Sequence, residues 1–220
     1  MIISSKNPHI LTVSNYLVQF PMLIWKSSIF LFIMDETPEV SGDLILDQAC
    51  ISNKNMIRDL DQKGFGEIEN GKLLLKSFET LYLLYTKKLL LKKNKKQIDF
   101  DNFMSLCQKN NPEILTKFLI FRDLKNRGYV VKDGFGFGSD FRVYERGHFG
   151  EKGAKFLIFG LNEGHQEKMG ILQKKIDEIT QMGKEPIIAV IERRGEVIYY
   201  KINKMNFFEN KSRLDDSFEF

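Results

Sequence analysis

Cysteine and histidine are scarce. The chain has two cysteines, Cys50 and Cys107, and three histidines, His9, His148 and His165. Neither cysteine belongs to a CxxC pair, and no group of these residues has metal-ligand spacing. A metal site is therefore not expected, and the two thiols read as buried and free in a reducing cytoplasm. An excess of one charge is also lacking: 33 Lys and Arg face 29 Asp and Glu, a net charge of +4. Where the charges sit matters more than their sum. Nor is there an unbroken apolar run of spanning length. The stretch "YLVQFPMLIWKSSIFLFIM" is interrupted by Gln19, Pro21, Lys26, Ser27 and Ser28, which leaves too little for a membrane helix. It has no basic segment beside a compact apolar core, so it is a poor signal peptide. Residues 1–41 read as an extension, either an appended hairpin or translation upstream of a start at Met34. No membrane association is expected, and the location expected is the cytoplasm.

What is present suits a folded core. Hydrophobic residues make up 43% of 220 positions, enough for one domain or two small ones. "GDLILD" (42–47) reads as a strand, "KLLL" (72–75) as another. A helix is expected from Ser77, with Ser77 as N-cap and Phe78, Leu81, Leu84 and Tyr85 at helical spacing. "KKLLLKKNKK" (87–96) is the strongest basic run; it reads as a solvated helix end and loop, or as a phosphate-contacting patch. "DFDNFMSLCQKNN" starts a helix at an Asp cap. "NPEILTKFLIFRDLKNRGYVV" is the clearest helix, with Pro112 in its first turn, an apolar face of Ile114, Leu115, Phe118, Leu119, Phe121 and Leu124, and Gly128 as its left-handed stop. Residues 42–108 thus form a small α+β domain.

From residue 109 onward a second domain is expected. "YVVKD" and "DFRVYE" are strands, the latter with Phe141 and Val143 on one face and Arg142 and Tyr144 on the other. "KFLIFGL" is apolar throughout, as a strand buried on both faces is. "EKMGILQKKIDEITQMG" is an amphipathic helix with Met169, Leu172, Ile176 and Ile179 inward. "PIIAVIE" and "EVIYYKI" are strands joined at Gly195. The fold class is α+β: a small N-terminal α/β domain, a C-terminal α/β nuclease-like domain with a central mixed sheet over 109–208, and a tail over 209–220.

The segment "GFGFGSDFRVYERGHFGEKGAKF" (134–156) holds the chemistry. A phosphate loop needs a GK[ST] or a last glycine that opens a helix; here the glycines lead into a strand. A metal-dependent nuclease needs carboxylates on adjacent strands, and "AKFLIFG" has none, so Asp140 reads as a turn cap or an arginine partner. Acid–base cleavage of RNA needs a base at the 2′-hydroxyl, an acid at the leaving oxygen and a cation for the phosphorane. Tyr144, a histidine and a lysine supply those types.

"FLIFRDLKNRGYVVKDGFGFGSDFRVYERG" resembles the archaeal tRNA-splicing endonuclease family, whose members show a "DLRxRGY" helix end and a "GxKxGxDFRLYxxG" segment containing the catalytic tyrosine. "PIIAVIERRGEVIYYKI" resembles its final strand pair, and "ISNKNMIRDLDQKGFGEIENGKLLLKSFETLYLL" its first domain. The resemblance implies a subunit that cleaves precursor tRNA at bulge-helix-bulge introns, giving 2′,3′-cyclic phosphate and 5′-hydroxyl ends with no cofactor, within a homo- or hetero-oligomer. By that resemblance Tyr144 is the base and Lys184 the charge-stabilising lysine. Gly153 stands at the histidine position, and His148 is the nearest histidine. Gly183 replaces an arginine, and Asp177 replaces a basic residue that pinches bulge nucleotides. Arg142, Arg146, Lys174 and Lys175 are the expected RNA contacts. Glu163 and Glu167 in "GLNEGHQEK" match an acidic loop that docks on a neighbouring subunit, and Tyr199 and Tyr200 lie on a terminal strand suited to pairing between chains. Three functional readings stand: a catalytic subunit, a structural partner in a heteromeric endonuclease, or a non-catalytic nucleic-acid-binding module.

Overall fold

The computed structural model describes residues 11–14, 40–134, 136, 138–163 and 169–204. Two six-stranded sheets form the frame. In the N-terminal half, β2 (Val40–Ile45), β3 (Gln48–Ile51), α1 (Lys54–Gln62), β4 (Glu67–Glu69), β5 (Lys72–Leu75), α2 (Ser77–Tyr85), β6 (Leu89–Lys93), β7 (Lys96–Ile98) and α3 (Phe100–Asn110) follow in order. Its sheet has the strand order β4-β5-β3-β2-β6-β7. Then come α4 (Ile114–Asn126), β8 (Val130–Asp133), β9 (Phe141–Tyr144), β10 (Phe156–Asn162), α5 (Met169–Gln181), β11 (Glu185–Ile191) and β12 (Val197–Lys204). The second sheet runs β1-β12-β11-β10-β9-β8, where β1 is Leu11–Ser14. Only β10 and β11 pair in parallel there; its other neighbours are antiparallel. Two domains, each a mixed sheet with helices, make an α+β chain.

Local chemistry explains most boundaries, and it corrects several expectations. Helix α2 does begin at Ser77, but Ser77 is not its cap. Its hydroxyl donates to the Asp47 carbonyl, and the Glu79 carboxylate instead reaches back to the Lys76 backbone N–H, the reciprocal half of a capping box. Asp99 caps α3 by accepting from Asn102 N–H, as expected. Pro112 lies before the Glu113 N-cap of α4 rather than inside the helix. Leu115 is 44% exposed and Ile120 fully buried, because α4 packs on both halves of the chain and its buried side is rotated from the simple stripe. The lysine run is no helix end: β6 and β7 form a hairpin whose turn residues, Asn94 and Lys95, both have positive φ. Asparagine tolerates that region, so the turn falls there.

One core joins the halves. Phe78 of α2, Phe121 of α4 and Phe141 of β9 meet with ring centroids 5.0–6.3 Å apart. Phe141 and Val143 face α4, while Leu157 and Phe159 face Ile179 of α5 on the opposite side. The second sheet is therefore a middle layer between α4 and α5. Cys50 and Cys107 are buried and unpaired. Among the described residues, no helix is long and apolar enough to cross a membrane. The extension contributes β1, which covers residues 201–204 of β12. The terminal strand is thus not an open edge along its whole length; only 197–200 keep that side free of an in-chain strand among the described residues.

Candidate active site

The glycine-rich stretch between β8 and β9 is a closed loop. Gly134 N–H donates to the Asp140 carbonyl and Ser139 N–H to the Gly136 carbonyl. A Cβ on Gly134 would lie 1.8 Å from the Ser139 oxygen, so only glycine allows the two ends to meet. Phe135 and Phe137, expected to share a face there, lie outside the described residues. Asp140 closes the loop against the sheet. Its carboxylate accepts from Gly160 N–H at 2.8 Å and pairs with Lys117 at 3.3 Å. A turn cap or an arginine pair was expected of Asp140; its ion-pair partner is instead a lysine of α4. Asp140 thereby extends the β9–β10 ladder by a side chain beyond the last backbone pair, Phe141 with Ile158.

With β9 fixed in this way, the strand alternation puts Arg142 and Tyr144 on the face away from α4. Tyr144 sits one residue past the last β9–β10 pair, Val143 with Phe156. Lys184 sits one residue before the first β10–β11 pair, Phe156 with Glu185. Tyr144 and Lys184 thus flank the start of β10, two strand spacings or ~10 Å apart across the sheet. Helix α5 ends at Gly183, whose φ of 69° turns the chain into β11 and leaves Lys184 at that position. The loop 145–155 runs over the same end. A Cβ on Gly153 would lie 3.3 Å from Lys184 Nζ. The Phe149 ring stands edge-on to Tyr144, centroids 5.0 Å apart.

His148 belongs to the same loop. Its backbone N–H donates to the Glu145 carbonyl, and its own carbonyl accepts from Glu151 and Lys152. The Nδ1 atom lies 3.6 Å from the Glu151 carboxylate and is buried without a hydrogen bond among the described residues. Lys155 pairs with Glu145 at 3.0 Å and holds that carboxyl below its ordinary range.

The expected RNA contacts are dispersed. Arg146 lies over the Tyr129 ring at 4.7 Å, and Lys174 is exposed beside Glu178 at 4.0 Å. Lys175 lies 5.6 Å from the Phe159 ring centroid and reaches the glycine loop at Gly138. Of the expected interface residues, Glu163 accepts from Arg193 N–H, and Glu167 lies outside the described residues. The Tyr199 hydroxyl donates to Asp123 at 2.8 Å, and burial with that carboxylate pushes its phenol far above the ordinary range. Tyr200 packs against Leu172, Ile176, Ile188 and Ile202.

Comparison with known proteins decides the family. Residues 114–199 match the tRNA intron endonuclease catalytic C-terminal domain, and residues 40–104 match the tRNA intron endonuclease N-terminal domain. A tRNA-splicing endonuclease of Thermococcus onnurineus is 31% identical over 162 residues, 73% of this chain and 94% of that relative. The chain belongs to the tRNA intron endonuclease family. A Methanococcus maripaludis tRNA-splicing endonuclease is 31% identical over 157 residues, 71% of this chain and 89% of its own length. One from Thermococcus gammatolerans is 29% identical over 169 residues, 76% and 97% respectively.

Within this family frame, sequence reasoning missed two features. Glu79 is 1% exposed between the halves, accepting from Gly66 and Lys76 N–H, and burial pushes its carboxyl up to about 7. Lys125 lies 4.0 Å over the Phe65 ring, donates to the Lys63 carbonyl, and is pulled down to about 8 by burial. It lines a cavity of about 170 Å³ with Lys63, Lys88, Asp59 and Tyr82. Neither is legible in the sequence, because each depends on contacts between distant segments.

Proposed function

We propose that this chain is a cytoplasmic, catalytic subunit of a tRNA-splicing endonuclease that cuts precursor tRNA at bulge-helix-bulge introns. RNA carries its own nucleophile, so the protein need only move protons and balance charge. Tyr144 takes the proton of the 2′-hydroxyl. The 2′-oxygen bonds to phosphorus as the bond from phosphorus to the 5′-oxygen breaks, giving a 2′,3′-cyclic phosphate. His148 gives a proton to the departing 5′-oxygen, which leaves as a hydroxyl. Lys184 faces the phosphorane oxygens. The supporting observation is that Tyr144 and Lys184 flank the same end of β10, with the 145–155 loop laid against both. Arg142, Arg146, Lys174 and Lys175 contact the RNA backbone.

Assembly follows from charge. The cavity beside Lys63, Lys88 and Lys125 suits the acidic loop of another copy or of a related subunit, with Glu163 and Glu167 as its carboxylates.

In EDTA, the purified protein is expected to cut a bulge-helix-bulge RNA, and Tyr144→Phe to slow single-turnover cleavage by about 10²–10⁴-fold. His148→Ala leaves partial activity, since the other groups still act. Gly153, an acid position without an acid, favours a second reading in which the chain is a structural subunit. Cutting that appears only with a second subunit, and survives Tyr144→Phe, would establish that one.

A further inference from the structure

Several cations around the second sheet are matched by carboxylates. Lys117 pairs with Asp140, Lys155 with Glu145, Lys174 with Glu178 and Lys201 with Glu185. Lys132, directly across from Arg142 in the ladder, donates to the Gly66 carbonyl at 2.6 Å. Arg142 has no such partner among the described residues. It is half-buried on β9, and its Nε is withdrawn from solvent with no hydrogen bond among the described residues. A desolvated guanidinium nitrogen without an acceptor costs stability, so it marks a place where an anion is expected. Lys184, too, forms no ion pair among the described residues. The two flank Tyr144, which shares its sheet face with Arg142.

We infer that Arg142 is a positioning residue for substrate, holding the phosphate next to the one that is cleaved. This rests on the assignment of the Tyr144 site above. Arg142 and Tyr144 are two residues apart on one face, about 7 Å along the strand. If Tyr144 serves the reacting 2′-hydroxyl and Lys184 the reacting phosphate, the guanidinium is one step removed along the RNA. Its planar fork suits two phosphate oxygens, which a lysine cannot match. A phosphate held there orders the RNA over Tyr144.

The test uses the full chain, with Tyr144→Phe as the uncleaving background for binding. Arg142→Met keeps the apolar stem. It is expected to weaken binding of a bulge-helix-bulge RNA about 10- to 100-fold and to reduce the slope of log Kd against log salt by about 0.7–1. The thermal midpoint should hold or rise, because an unpaired buried charge is removed. Replacing the linkage on either side of the cleaved bond by a neutral methylphosphonate should weaken the parent protein similarly, on one side only, and leave Arg142→Met unaffected. A lowered midpoint with unchanged salt slope means that Arg142 is structural, and overturns the inference. If the parent protein neither binds nor cuts the RNA, the site assignment itself fails. If it does both and Arg142→Met matches it, only the Arg142 inference fails.

Discussion

Glu79→Gln isolates the cost of keeping one carboxylate dry at the junction of the two halves. Burial pushes Glu79 from an ordinary value of 4.5 up to about 7, against hydrogen bonds from Gly66 and Lys76 and the nearby charges of Lys132 and Lys125. The folded state therefore holds its proton over a range in which the unfolded chain has released it. Between those two values the folded protein binds more protons, so stability falls as pH rises. The contribution is intact below about pH 4.5 and lost above about pH 7. At about 1.4 kcal/mol per pH unit, the full effect is about 3 kcal/mol, and about 2 kcal/mol of it falls between about pH 5 and about pH 7.5. For a chain of this size that lowers the thermal midpoint by about 4–8 °C over the same interval. Lys125 works in the other direction. Its folded value is pulled from 10.5 down to about 8, so stability is regained only as pH rises from about 8 toward about 10.5. Urea unfolding of the parent protein and Glu79→Gln at matched ionic strength gives the difference directly. The glutamine variant lacks the titration, and the gap between the two proteins narrows or changes sign as pH rises. An identical pH dependence in both would refute the reasoning, whatever the absolute stabilities.

Two further outcomes test the site. Gly153 has no positive φ, and the only close neighbour of an added Cβ is the flexible end of Lys184, 3.3 Å away; Gly153→His in a His148→Ala background should fold and restore single-turnover cleavage by about 10-fold or more, whereas no gain would place the acid elsewhere. Gly134→Ala drives a Cβ into the Ser139 carbonyl and should cost about 1–3 kcal/mol or more in urea unfolding, with activity reduced because β9 is displaced.

Much of the fold was legible because short-range rules act locally. The alternation in "DFRVYE" placed Phe141 and Val143 inward, and the apolar run of "KFLIFGL" marked a central strand. Glycine stops at Gly128, Gly183 and Gly195 were visible because each has the positive φ that other residues adopt at a cost. What failed had competing local possibilities. "KKLLLKK" suits a helix end as well as a hairpin, and pairing of β6 with β2 decides it. Ser77 is a good cap by type, yet Asp47 takes its hydroxyl.

The sequence by itself determined the family and singled out Tyr144 as the candidate base, since a long motif of glycine, aspartate and aromatic residues survives as a string. It also determined that Gly153 has no side chain to give a proton. Only the tertiary structure decided that Lys184 and Gly153 meet, that Asp140 bridges Lys117 and Gly160, and that Arg142 Nε has no acceptor among the described residues. These are relations between residues far apart in the chain. They arise when parallel pairing of β10 with β11 sets the end of α5 beside the loop after β9, and no linear pattern encodes that distance.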